Sequence, residues 1–427
     1  MKKLTYILII SFLSQISINL HAQLEFNSYI STAEEYNDNI YLDPHNEESD
    51  WITTIEPGIS LDYDSLNLDA SLDYSMRFRF YNDNTDKNEN ALNDVQRADG
   101  DLTLFPDNNF HFNANGRISR VILDDRESSS DENESINKAT LYNYTFNPSY
   151  RIRLGSTTDL NLDYFLTQSV YKEVEDTSAT PFDANDFIEH TASAELLKHL
   201  SQRNNVSLSY EYSYFNEDER LATNENGDYD HHSIMTGIDY AFARGLSLNA
   251  LAGWSSISYT ENYQDDQANA IWEIGLNYAL SETLQASFEY NNNFTPSVSR
   301  GVSLNKEARF ILTYSRRFTI STEIFTNQSE YEEENSRDEG VGGMITGVLP
   351  LGRYFSINFR TDYAEYKYLE QGVPDENVDR YGFGTGLNLT LNHLTTSLNY
   401  NYRRNNSTRN ENDYTNNIIF FEIRWDF

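Results

Sequence analysis

Cysteine is absent from all 427 residues. Neither a lipoprotein anchor nor a disulfide framework is therefore available. Proline is scarce, at 8 residues. Beyond Leu20 there is no apolar run of spanning length, which excludes helical membrane spans. Positive charge is short too: 31 Lys and Arg stand against 67 Asp and Glu, a net charge of −36. Nucleic acid needs a basic surface and is excluded as a partner, and the overall field does not draw in anions. Catalytic signatures are missing, with no G-x-S-x-G, H-E-x-x-H or phosphate loop. His231 and His232 are adjacent and would point to opposite faces of a strand, so they make a poor chelating pair. A protein that is not an enzyme and holds no cofactor is expected.

What is present begins with Met1-Lys2-Lys3, a largely apolar stretch from Leu4 to Leu20, and His21-Ala22-Gln23. This order predicts a signal peptide over residues 1–22, cleaved after Ala22, and a mature chain of 23–427. Only 38% of the chain is hydrophobic, yet Tyr (31) and Phe (24) are abundant. Apolar residues alternate with polar ones over long stretches. From Ser65 to Phe80, Leu66, Leu68, Ala70, Leu72, Tyr74, Met76, Phe78 and Phe80 share one face. Asn67, Asp69, Ser71, Asp73, Ser75, Arg77 and Arg79 share the other. A helix would mix the two sets around its circumference, so the segment is a strand. The pattern returns at Leu160–Leu166, Val206–Tyr214, Leu284–Tyr290, Phe355–Phe359 and Leu394–Tyr402.

Short connections alternate with long acidic ones, nine against ten, which predicts about twenty strands (18–22) in an all-β, up-and-down antiparallel transmembrane barrel. Closure satisfies every backbone group without water, as lipid demands. A soluble barrel this wide would need an apolar filling, whereas here the second face is charged. Two places fit less well. Phe187–Leu200 also has partly helical spacing, and its neighbours decide for a strand. Pro57-Gly58 interrupts the strand from Trp51 to Tyr63, and a bulge is expected there.

Phe421, Ile423, Trp425 and Phe427 form an apolar stripe that ends on an aromatic residue. It resembles the assembly signal of Gram-negative outer-membrane barrels, which implies the outer membrane, its lipid and lipopolysaccharide, and the barrel-assembly machinery as partners. The polar faces supply candidate pore-lining residues: Asp69, Asp73, Arg77, Arg79, Arg151, Arg153, Glu289, Arg360 and Asp362. Both signs occur on one strand, so these residues either meet a polar solute or pair across strands to stiffen the wall. In the first long loop Glu34, Glu35, Asp38, Asp43, Glu47, Glu48 and Asp50 cluster without a Lys or Arg. Their spacing matches no EF-hand, and a solvated, self-repelling loop is expected.

The first hairpin reads Glu35-Tyr36-Asn37-Asp38-Asn39-Ile40-Tyr41, then Ser49-Asp50-Trp51-Ile52, then Glu56-Pro57-Gly58-Ile59. Over residues 34–60 it resembles the outer-membrane β-barrel family found with exopolysaccharide-synthesis and exosortase loci. The resemblance implies a porin-like conduit for polysaccharide or oligosaccharide, with synthesis or export proteins as partners, and brings no catalytic residues. The alternatives are a general diffusion porin and a structural or adhesive barrel that displays its acidic loops.

Overall fold

A computed structural model describes residues 23–123, 138–172, 186–217, 227–242, 245–260, 265–296, 302–331 and 335–427. The segment read as a signal peptide, parts of six long loops and residues 243–244 lie outside the described residues. The first strands are β1 (Gln23–Asn37), β2 (Asp50–Ser65), β3 (Leu68–Met76), β4 (Phe78–Tyr81), β5 (Gln96–Leu104), β6 (Phe110–Ile122) and β7 (Lys138–Arg153). They are followed by β8 (Thr158–Lys172), β9 (Phe187–His199), β10 (Asn204–Glu217), β11 (Tyr229–Ala241), β12 (Leu246–Tyr259), β13 (Gln267–Ser281) and β14 (Leu284–Pro296). The last are β15 (Val302–Ser315), β16 (Thr319–Tyr331), β17 (Ser336–Leu351), β18 (Phe355–Glu370), β19 (Glu376–Leu391), β20 (Leu394–Ser407) and β21 (Tyr414–Asp426).

With β3 and β4 taken together, each strand pairs antiparallel with the next, and β21 returns to β1 from Tyr29↔Asp426 to Asn37↔Ile418. β3 and β4 are halves of one strand, because both pair with β2 in a single register, Gly58↔Ser75 and Ile55↔Phe78. The result is a closed barrel of 20 antiparallel strands, the number predicted from the connections. Closure joins the first strand to the last, so the sheet has no terminal edge strand. Phe427 completes the seam by donating its backbone N–H to the Ser28 carbonyl at 2.8 Å.

The proline behaves differently from the expectation. No bulge forms at Pro57-Gly58: β2 runs unbroken and stays in register with β1, Ile30 opposite Pro57. Proline's missing N–H removes ladder rungs near Arg77 without inserting a residue, so the partner strand is interrupted and the register is kept. Phe187–His199 is a strand, as its neighbours required. The first short reversal lies between Ser65 and Leu68.

Alternation sorts the two faces. In β11, Ser233 is 4% exposed and its neighbour Ile234 is 50% exposed. Leu208, Trp254, Ile324 and Leu398 are likewise exposed outward. An apolar girdle of this kind on a closed barrel is what lipid requires, and the chain is an outer-membrane barrel. Apart from β5, the strands run 13 to 16 residues, counting Leu68–Tyr81 as one. About 9–11 residues suffice to cross, so the strands project beyond the bilayer at the long-loop end. Glycine makes one of the short reversals possible: Gly352, between β17 and β18, has φ +85°, a region L side chains avoid.

Candidate functional site: the inner wall and the mouth

Asp50 opens β2 and is 1% exposed. Its carboxylate accepts the backbone N–H groups of Asn82, Asp83 and Asn84 at 3.0, 3.0 and 2.8 Å. The Asn84 side-chain amide adds a fourth donor at 3.1 Å. One buried carboxylate therefore fixes the start of the second long loop. Beside it Ile40, Ile52 and Tyr81 form a small apolar cluster against Tyr41.

The first long loop is held to the closing strand by amides. Asn39 donates to the carbonyls of Asp43 and Thr415 at 2.9 and 3.2 Å. Asn416 donates to the Asn37 side-chain oxygen at 3.0 Å and to the Asn39 carbonyl at 2.8 Å. Of the acids expected to be solvated, Glu35 and Asp50 are each 1% exposed, and Asp38 is hydrogen-bonded to Asn417. The expectation of a freely repelling loop fails for these three. Their charge is met by N–H donors and a cation that sequence spacing does not reveal. Asp43 turns inward on its own loop, where the backbone N–H groups of His45 and Asn46 hold its carboxyl below the usual range.

An ionic network lies next to this mouth. Arg79 and Glu35 are 3.5 Å apart with side chains only 3% and 1% exposed. Arg79 also approaches Glu89 at 4.0 Å, and Lys138 reaches Glu89 at 3.6 Å. These partners come from β1, β4, β7 and the loop 82–95, so the network ties non-adjacent parts of the wall together. Burial pushes the Glu89 carboxyl up, but Lys138, Arg79, Arg120 and Arg97 more than offset it, and the group is held below its ordinary range.

The nine candidate pore-lining residues do not converge on one site. Arg79 is sealed in the network just described. Arg77 pairs with Glu56 at 2.6 Å and shares a recess of about 300 Å³ with Asp73, Arg97 and Arg117. Asp69 stands in register with Asp64 near the short turns. Arg151 and Arg153 both address Asp159, with Nε of Arg151 at 3.1 Å and Arg153 at 3.9 Å. Glu289 lies opposite Arg309 across the ladder, and Arg309 reaches Glu323 at 3.3 Å. Arg360 and Asp362 pair along β18 at 2.9 Å, in a recess of about 380 Å³ that Ile40 and Leu42 of the first loop also line. Arg360 and Asp362 are paired yet half open, 51% and 32% exposed, and so are Arg117 and Asp99 beside Asp73, at 58% and 40%.

Sequence reasoning passed over Arg97, Arg120, Lys138 and Glu89. They sit near strand ends or in a loop, where alternation gives no face, and only the fold brings them together. His231 and His232 do point apart: His231 meets Ser255 at 2.6 Å, and His232 meets the exposed Tyr210 at 2.9 Å. Among the described residues no group of three or more His, Asp or Glu is placed to hold a metal ion.

No protein-family model and no curated protein matches the sequence. Solved structures do resemble the fold. The FrpB iron transporter from Neisseria meningitidis (F3-3 variant) aligns at 8% identity with a TM-score of 0.52, over 94% of this chain and 81% of that one. A point mutant of the ferric enterobactin receptor PfeA from Pseudomonas aeruginosa gives 11% identity and a TM-score of 0.53, over 94% and 80%. The ferric citrate transporter FecA in its unliganded form gives 10% and 0.52, over 94% and 79%. At such identities the likeness is one of fold, and the shared fold is the closed outer-membrane barrel.

Proposed function

We propose that the barrel is a porin-like conduit for polar solutes across the outer membrane, with oligosaccharide as the favoured solute class. The observation that carries this reading is charge exposure inside a closed wall. Arg360 and Asp362, and Asp99 and Arg117, which stand in register with Asp73 across β5 and β6, remain substantially accessible. Charges that keep their hydration inside a barrel imply a wet lumen. Asn399 and Asn401 line a further recess of about 450 Å³ with Thr385 and Arg360, a surface of donors and acceptors suited to hydroxyl-rich solutes. The saccharide class itself rests on the resemblance of residues 34–60 to barrels of exopolysaccharide loci. The iron cargo named for the similar structures does not transfer at 8–11% identity.

Phe421, Ile423 and Trp425 are exposed along the outer face of β21, and Phe427 is exposed just past its end. They would present the terminal strand to the assembly machinery before the seam with β1 closes. A second reading, a structural surface barrel, is favoured by the way Asp50 and Asn416 fasten the mouth loops. Single-channel conductance of the mature protein in a planar bilayer separates the two. A steady conductance reduced reversibly by maltohexaose supports the saccharide conduit. A folded barrel that stays silent at all voltages overturns it.

A further inference from the structure

We infer that the inner wall from β3 to β7 carries an anion-binding subsite centred on Arg97, which takes solutes bearing carboxylate, phosphate or sulfate groups. The inference rests on the conduit reading for how a solute arrives, and it names a substrate class that the net charge of the chain opposes.

Among the described residues, the recess of about 300 Å³ is lined by Arg77, Arg97, Arg117, Arg120 and Lys138 against three carboxylates, Glu56, Asp73 and Asp99. In a chain with more than twice as many acids as bases, an excess of cations in one recess is a local reversal of sign. Most of these cations have a carboxylate partner: Arg77 has Glu56, Arg117 has Asp99 at 2.6 Å, and Lys138 has Glu89. Arg97 does not. One of its terminal nitrogens donates to the backbone carbonyls of Asp94 and Gln96 at 2.8 and 2.9 Å. No described carboxylate forms an ion pair with it: Glu89 and Glu56 attract it only from a distance, while Arg77 and Arg120 repel it.

A half-buried guanidinium whose only direct partners are two backbone carbonyls leaves N–H groups to be met by water or an anion. Its remaining N–H groups keep the fork geometry that suits a planar or tetrahedral oxyanion. Asp99 and Asp73 on the recess wall would limit affinity, as a solute that must also leave requires. The geometry therefore assigns Arg97 as the anion contact, with Arg77 and Arg117 supplying the surrounding field.

The test uses the folded barrel in detergent, with fluorescein-labelled tri-galacturonate as probe, read by anisotropy at low salt. Unlabelled tri-galacturonate, tripolyphosphate and maltotriose serve as competitors. The probe is expected to bind, to be released by added salt, and to resist maltotriose. Arg97→Gln is expected to weaken binding about tenfold, and Arg203→Gln, in a distant short turn, to leave it unchanged. Stronger competition by tri-galacturonate than by tripolyphosphate identifies an acidic saccharide as the source of the anionic group, and the reverse order identifies a phosphate. Should Arg97→Gln fail to fold, the half-exposed Arg117→Gln is expected to weaken binding in the same sense. Absence of binding, equal competition by maltotriose, or unchanged affinity in folded Arg97→Gln overturns the subsite. Because binding is read without conduction, a silent pore that still binds the probe sinks the conduit and spares the subsite. A conducting pore that does not bind it does the opposite.

Discussion

Asp38 and Asn417, 379 positions apart, are joined by three hydrogen bonds. The Asn417 backbone N–H donates to one Asp38 carboxylate oxygen at 2.6 Å, and its side-chain amide donates to the other at 2.7 Å. The Asp38 N–H returns a bond to the Asn417 carbonyl at 3.2 Å. The pair continues the β1–β21 seam one step past its last ladder rung, Asn37↔Ile418. A carboxylate gripping two donors makes stronger bonds than a neutral amide would, so the first loop helps to close the barrel as well as to cap it.

Removing that carboxylate should loosen the seam. Asp38→Ala is expected to destabilise the barrel by about 2 kcal/mol, the scale of hydrogen bonds to a charged group. Asp38→Asn should cost less, because one acceptor remains. Equilibrium urea unfolding in lipid vesicles reads both, and an unchanged midpoint for Asp38→Ala would show that the seam does not depend on this clamp.

The barrel could be read from the chain because lipid and lumen impose opposite demands on successive residues. Leu66 to Phe80 shows this without a break in the sequence, and the structure turns Leu68 to Ser75 of it into strand pairs on both sides. The clamp could not be read. Tyr36-Asn37-Asp38-Asn39 has the composition of an ordinary turn, and its partners Asn416 and Asn417 lie at the far end of the chain. The cation recess was only half legible. Arg77 and Arg117 stand within alternating segments, while Arg97 and Lys138 open their strands beside long loops, where no face can be assigned. Pro57 shows a third limit: sequence foretold lost hydrogen bonds there, but whether the register shifts depends on the flanking ladders.

Glu89 and Lys138 allow a pH-dependent test. The Glu89 carboxyl is pushed up by burial but pulled further down by Lys138 and then Arg79, so its folded value lies below the unfolded one. A depressed carboxylate stabilises the fold above its unfolded value, about 4.3. That contribution is lost as pH falls through the folded value. Thermal unfolding should therefore show the wild type ahead of Glu89→Gln at pH 7, with the gap closing on acidification. Lys138→Met, which leaves Glu89 buried without its nearest cation, should cost about 3–5 kcal/mol at pH 7. A gap that does not change between pH 7 and pH 3 would mean that Glu89 is not held by this network.

Leu208 and Ser209 test the assignment of faces. They are neighbours on β10, Leu208 is 50% exposed, and alternation sends Ser209 to the other side of the wall. In lipid an outward Arg near the midplane costs about 2–4 kcal/mol, because its charge must leave water or deform the bilayer. In a hydrated lumen an Arg keeps most of its solvation and has Glu211 two residues away on the same face. Leu208→Arg is therefore expected to lower stability in vesicles by that amount, and Ser209→Arg by less than about 1 kcal/mol. Equal losses at the two positions would mean that the inner face is as dry as the outer one. The wet conduit would then fail on energetic grounds, independently of any conductance measurement.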